Sequence, residues 1–539
     1  MRQRSEPKFE RRLAGTEAGV EAVQELREYG RRLHLHRSKS SDTDVEAMKK
    51  VIETIREDTG QAPFVVVDSL QKVHLAGSGL LSEDDRATLV VEELKDLTLD
   101  AGVPILAIVA AGPISGKRMR VKDLRGSSTV AVPADVVLII ARRPNLRRVA
   151  APTTDLRDWR RYVSTGPGSA ASAVRSDLAQ SLTSRNFSVL QWIMTALQST
   201  TTTEMVTGRL QSLHSFLEET NDRLKAGQVA GAKVWPSGFG ALDKALTGGF
   251  RSGELVLLGG PQGLGKTTFG LQVMRNLIAS KHSAVYFSFE HDNHTLLERL
   301  IAMEAAEIAG PTAVPLHRVR QAFEARHSSK QTLEGRLDGT LGGVEAVQAL
   351  QGYARRLHLH RSNGSDTDVE AMRRVIETIR EETGEEPFVV VDYLQKVHVP
   401  DSAGLSEDER VTVVVEALKD LALELTLPVV AIVAADKSGL AHGKRMRVHD
   451  LRGSSALAYE PDIVLIINDK YDVVARHHLI YDVANADRFR GWVVMTIEKN
   501  RNGVDKVDLE FRKRFDQGRF DTGGGYVAEQ LIDERVFVE

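Results

Sequence analysis

GELVLLGGPQGLGKTT, residues 253–268, is the stretch whose reading decides the fold. Its apolar first part, Glu254 to Leu258, reads as a buried strand, and Lys266 to Ala279 reads as a helix. Between them Gly260-Pro261-Gln262-Gly263-Leu264-Gly265-Lys266-Thr267 fits the pattern G-x-x-x-x-G-K-[ST], with Thr268 following in the helix. Glycines let backbone N–H groups curl around phosphate oxygens, and the helix N-terminus adds positive potential. Lys266 would reach the β and γ phosphates and the Thr267 hydroxyl would ligate magnesium, so the expected cofactors are ATP and Mg2+.

Outward from that loop, Ser283 to Phe289, Phe388 to Val391, Pro428 to Val433 and Asp462 to Ile467 read as further strands. Asp368 to Arg380 and Glu407 to Glu424 read as helices. Short apolar strands separated by helices predict a parallel α/β sheet covered on both faces. Two carboxylates end strands in this array. Asp392 closes Phe-Val-Val-Val, where it can hold the magnesium shell, and Glu290 closes Val-Tyr-Phe-Ser-Phe, where it can orient and deprotonate an attacking water. The competing readings are an ordinary strand-end aspartate and a solvated glutamate in a turn.

The chain of 539 residues has room for two or three domains. With 71 Lys and Arg against 74 Asp and Glu, a formal charge of -3 and a pI near 6.6, any nucleic-acid site must be a local patch. Cysteine is absent, which excludes disulfides, thiolate zinc sites and cysteine nucleophiles and fits a reducing compartment. The start, MRQRSEPKFERR, has no apolar signal core, and the apolar stretch from Phe187 to Leu197 is too short to span a bilayer. A soluble, cytoplasmic protein without a membrane partner is expected.

The chain also repeats part of itself. RRLHLHRS recurs at Arg31 and Arg355, SDTDVEAM at Ser41 and Ser365, and PFVVVD at Pro63 and Pro387, all at an offset of 324. GKRMRV at Gly116 and Gly443 and DLRGSS at Asp123 and Asp450 follow at 327, which marks a three-residue insertion. The first copy runs from about Leu13 to about Ala141 and has no counterpart of the phosphate loop. Residues 143–232 read as a linker, with Leu210 to Ala226 an amphipathic helix. The expected domains are therefore a truncated repeat over 1–142, the linker, and a complete domain over 233–539.

The run SGFGALDKALTGGFRSGELVLLGGPQGLGKTT resembles the entry to the RecA, KaiC and DnaB superfamily of P-loop ATPases. FSFE ending at Glu290, DYLQ at Asp392 to Gln395, DLRGSSALAYEPD at Asp450 to Asp462 and EKNRNG at Glu498 to Gly503 resemble, in that order, the motor motifs of DnaB-type replicative helicases. The resemblance spans about Val234 to Phe520, and the first copy resembles only the middle of that domain. It implies a RecA-like core whose parallel strands lie in the order fifth, first, fourth, third, second. It makes Lys266, Glu290 and Asp392 catalytic, with Glu290 the base and Asp392 the Walker B aspartate. Lys499 and Arg501 become cations inserted into a neighbour's ATP site, in a ring of usually six subunits.

The same resemblance points to single-stranded DNA held at Lys444, Arg445, Arg447, Arg452, Gly453 and Ser454, a salt-sensitive grip on the backbone. A solvated basic loop is the plain alternative. The chain departs from the family pattern at Val433-Ala434-Ala435-Asp436-Lys437, where Ser-Gln is usual, and at Gly453, where glutamate is usual. The first copy has counterparts of strands three (Phe64 to Val67), four (Pro104 to Val109) and five (Asp135 to Ile140), with Asp68 matching Asp392. It lacks the central first strand, so either a segment such as Ser188 to Met194 fills the slot or this half is loosely folded. A degenerate partial RecA-like repeat without hydrolysis is expected there. For the whole chain the leading expectation is an ATP-driven DNA helicase or translocase; a KaiC-like regulatory ATPase or an ATP-dependent scaffold is the alternative.

Overall fold

The structure, a computed structural model, describes residues 26, 29–36, 38, 43–75, 83–109, 137–138, 163–164, 210–227 and 231–532, the last span without 325–331, 401, 403, 437–443, 454, 476 and 481–482. Two compact units divide the chain, 1–230 and 231–539.

In the second unit β1 (Leu255–Gly259) leads through the glycine loop into α1 (Lys266–Ala279). Next come β2 (Ala284–Ser288), α2 (Asn293–Ala309), three shorter helices and β3 (Leu357–Arg361). After α3 (Val369–Thr383) follow β4 (Phe388–Asp392), α4 (Glu407–Leu425), β5 (Val429–Ile432), β6 (Ile463–Asp469), β7 (Trp492–Asn500) and β8 (Val507–Arg514). The sheet order is β3-β2-β4-β5-β1-β6-β7-β8, with the two-residue strands Arg519–Phe520 and Gly525–Tyr526 both paired to β8. Strands β3 to β6 along that path run parallel, and β7 and β8 turn antiparallel. The five strands expected from the sequence thus lie in the expected order, within a residue or two of their expected bounds.

Period-two alternation explains why the apolar runs are unbroken. Val256 and Leu258 face one core with Phe269, Leu271 and Met274 of α1, while Leu255 and Leu257 face another with Met372 of α3 and Leu418 of α4. Burying each such side chain contributes about 2 kcal/mol. The flanking helices carry their own stop signals. Asp368 caps α3 by accepting from the Ala371 N–H, and Gly384 ends it at φ 70°. At α4, Ser406 and Glu409 form a capping box.

The edge strand β3 was not among the expected strands. Its residues, Leu-His-Leu-His-Arg, are only half-buried, so no continuous apolar run announces it.

In the first unit, Val65–Asp68 pairs in parallel with Ile105–Ile108, as the repeat predicts. Helices Val45–Thr59 and Glu83–Ala101 flank them, the first capped by Asp44 and ended at Gly60 like α3. One face is packed, with Val67, Leu70, Val90 and Leu94 buried. On the other face Val66, Leu106 and Ile108 stand 52%, 44% and 45% exposed, whereas their counterparts Val390, Val430 and Ile432 are buried under α1. Two expectations need correction. Val137–Leu138, within the expected fifth strand, pairs antiparallel with Val163–Ser164 instead of joining a parallel sheet. The helix expected from Leu210 begins at Leu213, capped by Ser212; Leu210–Ser212 is a strand paired with His34–His36. Ser188 to Met194 lies outside the described residues.

Candidate nucleotide site and its surroundings

The first turn of α1 has no side-chain cap, and Gly265 stands at its N-cap with φ 87°. Its free N–H groups therefore point at whatever anion enters the loop. A β-carbon at Gly265 would sit 2.7 Å from the ring tips of both Phe515 and Phe520, so those rings fix how closely the loop is backed. The Lys266 ammonium donates to the carbonyls of Gly260 at 2.7 Å and Pro261 at 2.9 Å. Burial lowers its pKa, and the carboxylates of Asp392 and Glu290 work against that.

Thr267 and Asp392 meet at the centre. The Thr267 hydroxyl donates to Asp392 Oδ2 at 2.7 Å, and the Tyr286 phenol donates to the same oxygen at 2.7 Å. Burial raises the Asp392 carboxyl pKa while these two hydrogen bonds pull it back. Asp392 Oδ1 is buried with no hydrogen-bond partner. An orphaned carboxylate oxygen beside a threonine hydroxyl is the oxygen set that a hard divalent cation takes, so the residues fit Mg2+. Strand register places Glu290 beside them: Ser288 is level with Asp392, and the Phe289 N–H donates to the Asp392 carbonyl at 2.7 Å. Glu290 itself is exposed.

Two neighbours escaped the sequence reading. Tyr286 is fully buried on β2, and burial beside Asp392 drives its phenol pKa well above the ordinary value. On α2, Arg299 has its Nε buried without a hydrogen-bond partner. Burial lowers the Arg299 pKa, with Tyr286, Asp392 and Glu290 among the groups that oppose this. The only signal for Tyr286 was a phenol within an apolar strand, and for Arg299 a lone cation in Leu-Leu-Glu-Arg-Leu-Ile.

Lys499 and Arg501 are not brought to this loop. The Arg501 N–H donates to the Asp462 carbonyl and the Asp462 N–H to the Leu255 carbonyl, which sets Arg501 level with the start of β1. The phosphate loop leaves the other end of that strand, roughly 15 Å away. Lys499 Nζ donates to the carbonyls of Ala458 at 3.0 Å and Tyr459 at 2.7 Å, and Arg501 Nη2 to Tyr459 at 2.5 Å. Burial, reinforced by Arg501, lowers the Lys499 pKa to about 7.

The cations expected to grip a strand are drawn into ion pairs. Lys444 meets Asp450 at 2.5 Å, Arg447 meets Glu498 at 2.7 Å, and Arg452 meets Glu407 at 2.8 Å. Arg445 is 5% exposed and bonded to Asp508 and Thr496, which corrects its expected role: a guanidinium so enclosed holds β7 and β8 and does not reach solvent. Arg452 is 54% exposed and next to Gly453. Ser454 lies outside the described residues.

A mostly parallel sheet in this order, with an uncapped glycine loop facing a threonine–aspartate pair, defines a P-loop protein of the RecA-like class. The model of the DnaB-like helicase C terminal domain matches residues 235–521, just over half of the chain, and the chain belongs to that family. The replicative DNA helicase DnaB of Treponema pallidum is 28% identical over 281 residues, covering 52% of this chain and 54% of the relative. That of Haemophilus influenzae is 27% identical over 343 residues, covering 62% and 64%. The chain thus spans about half to two thirds of the length of these relatives. Among solved structures, a DnaB-like replicative helicase aligns with TM-score 0.44 and 19% identity over 65% of this chain and 74% of that one. Among the described residues no helix is long and apolar enough to cross a membrane.

Proposed function

We propose that the chain is an ATP-hydrolysing, ring-forming helicase or single-strand DNA translocase of DnaB type, acting in the cytoplasm. The observation that carries this reading is the Thr267–Asp392 contact with its orphaned carboxylate oxygen, inside a chain of this family. Backbone N–H groups of residues 262–267 cradle the phosphates, and Lys266 leaves its carbonyl partners for the β and γ phosphate oxygens. Thr267 and Asp392 would hold Mg2+, which would supply charge neutralisation for the phosphates. Glu290 accepts the proton of the attacking water, and Arg299 lends positive charge behind it. Lys499 and Arg501, remote from their own loop, serve the site of an adjacent subunit, so hydrolysis depends on assembly. Arg452 and Gly453, with Lys444, Arg447 and Ser454 around them, form the strand grip.

In this reading residues 1–142 are a truncated repeat, 143–232 a linker and 233–539 the ATPase. The similarity to replicative helicases of two bacteria supports it. The ion pairs that occupy Lys444, Arg445 and Arg447 favour a second reading, a KaiC-like regulatory ATPase that assembles without moving on DNA.

One set of measurements separates them: ATP turnover and stoichiometry with and without single-stranded DNA, for the native chain, Lys266→Ala and Arg501→Ala. The helicase reading expects one ATP per chain, stimulation by DNA, and losses of about 100-fold or more in both variants. DNA affinity should fall by about 0.7 logarithmic units per phosphate contact for each tenfold rise in salt. Absent stimulation together with salt-insensitive binding would leave the regulatory reading; full turnover in Arg501→Ala would remove the shared site.

A further inference from the structure

Gln395 stands where three segments converge. Its side-chain Nε2 donates to the Arg452 carbonyl at 2.8 Å, and its Oε1 accepts from the Ala434 N–H at 3.1 Å. Those two backbone groups belong to segments that are already joined. The Arg452 N–H donates to the Ala434 carbonyl at 2.9 Å, Ala435 and Leu451 form a bridge, and the Asp436 N–H donates to the Asp450 carbonyl at 2.8 Å. The base of the Arg452–Gly453 loop is therefore a short rung beyond the end of β5, and the Gln395 amide closes that rung with one donor and one acceptor.

From the other side Gln395 is tied to the phosphate loop. It lies three residues after Asp392, in the single 3-10 turn Leu394–Lys396, whose Leu394 is fully buried. Buried packing makes such a turn move as a unit with the strand end it continues. Asp392 in turn holds the Thr267 hydroxyl. One amide thus connects the backbone of the exposed arginine to the carboxylate at the nucleotide site. At neutral pH an amide of this length supplies both roles, whereas an ionised carboxylate at the same place would face the Arg452 carbonyl with no proton to donate and an alkyl chain would offer neither group.

Resting on the reading of Arg452 and Gly453 as the strand grip, we propose that Gln395 is a positioning residue that couples DNA in the grip to the Asp392 carboxylate, so that strand occupancy accelerates ATP turnover through it. Such a coupling is a free energy between two sites, visible as a difference between turnover with and without DNA.

The test uses the full chain, oligo-dT and ATP, with Gln395→Leu and Gln395→Glu beside the native protein. Expected for Gln395→Leu are a KM for ATP and a DNA-free rate within about threefold of native, and a DNA-stimulated kcat lowered about tenfold. Gln395→Glu should recover stimulation as pH falls and the new carboxyl gains the proton it must donate, a pH profile that a packing role would not produce. Native stimulation in both variants overturns the coupling. So does a parallel loss of the DNA-free and stimulated rates, or a Gln395→Leu chain that fails to fold accompanied by a pH-independent Gln395→Glu. A native chain with no DNA stimulation at all removes the grip reading itself, a result distinct from these.

Discussion

Lys499 sits in a place that costs it its charge. Its pKa of about 7, against an ordinary 10.5, means that between those values the unfolded chain binds a proton which the folded chain releases. The contribution of Lys499 to stability therefore rises with pH across that window and is constant and unfavourable below it. Urea unfolding of the native chain and Lys499→Met should show the variant's relative advantage shrinking from pH 7 to pH 10. A gap that stays constant would mean the ammonium is not desolvated. At this scale the sequence showed Lys266, Thr267, Asp392 and Glu290, because a phosphate loop is local and strand-end carboxylates follow apolar runs. It could not show that Arg445 would be enclosed by Asp508, a partner 63 positions away, or that Tyr286 would reach Asp392 across the sheet.

The turn at Arg452–Gly453, which packs against α4, shows how an element depends on one missing side chain. Gly453 has φ 118°, and a β-carbon there would lie 2.9 Å from both Cγ atoms of Val411 on α4. Gly453→Ala should destabilise the chain by about 1–3 kcal/mol, from strain and overlap together. Adding Val411→Ala should return the steric part and leave the backbone part, which chemical denaturation of both variants and the double variant would resolve. Full additivity would show that the two positions do not touch. Buried strands were readable because being covered on both faces leaves no polar alternation to confuse; β3 was not, because an edge strand of Leu and His shows neither an apolar run nor a charged face. The start of the linker helix was misplaced by three residues because Ser212 caps it and the preceding leucine pairs with another strand.

Across the whole molecule, the most telling feature is that Pro-Phe-Val-Val-Val-Asp occurs twice, at 63–68 and 387–392, with identical residues in unlike settings. The second copy has hydrogen-bonded strands on both sides, while the first, among the described residues, is paired along one side, with Val66 52% exposed. The protein thereby contains its own reference compound. Local propensity, side-chain shielding of the amides and intrinsic exchange chemistry are shared by the two hexapeptides, so any difference in amide hydrogen exchange reports the surrounding layers alone. Exchange at Val65–Val67 should outrun that at Val389–Val391 by about 100-fold or more, measured residue by residue in one sample. Equal rates would mean that the first copy is as well buttressed as the second. The duplication thus turns two unlike settings into a calibrated measure of what the layers around β4 contribute to holding an identical strand in place.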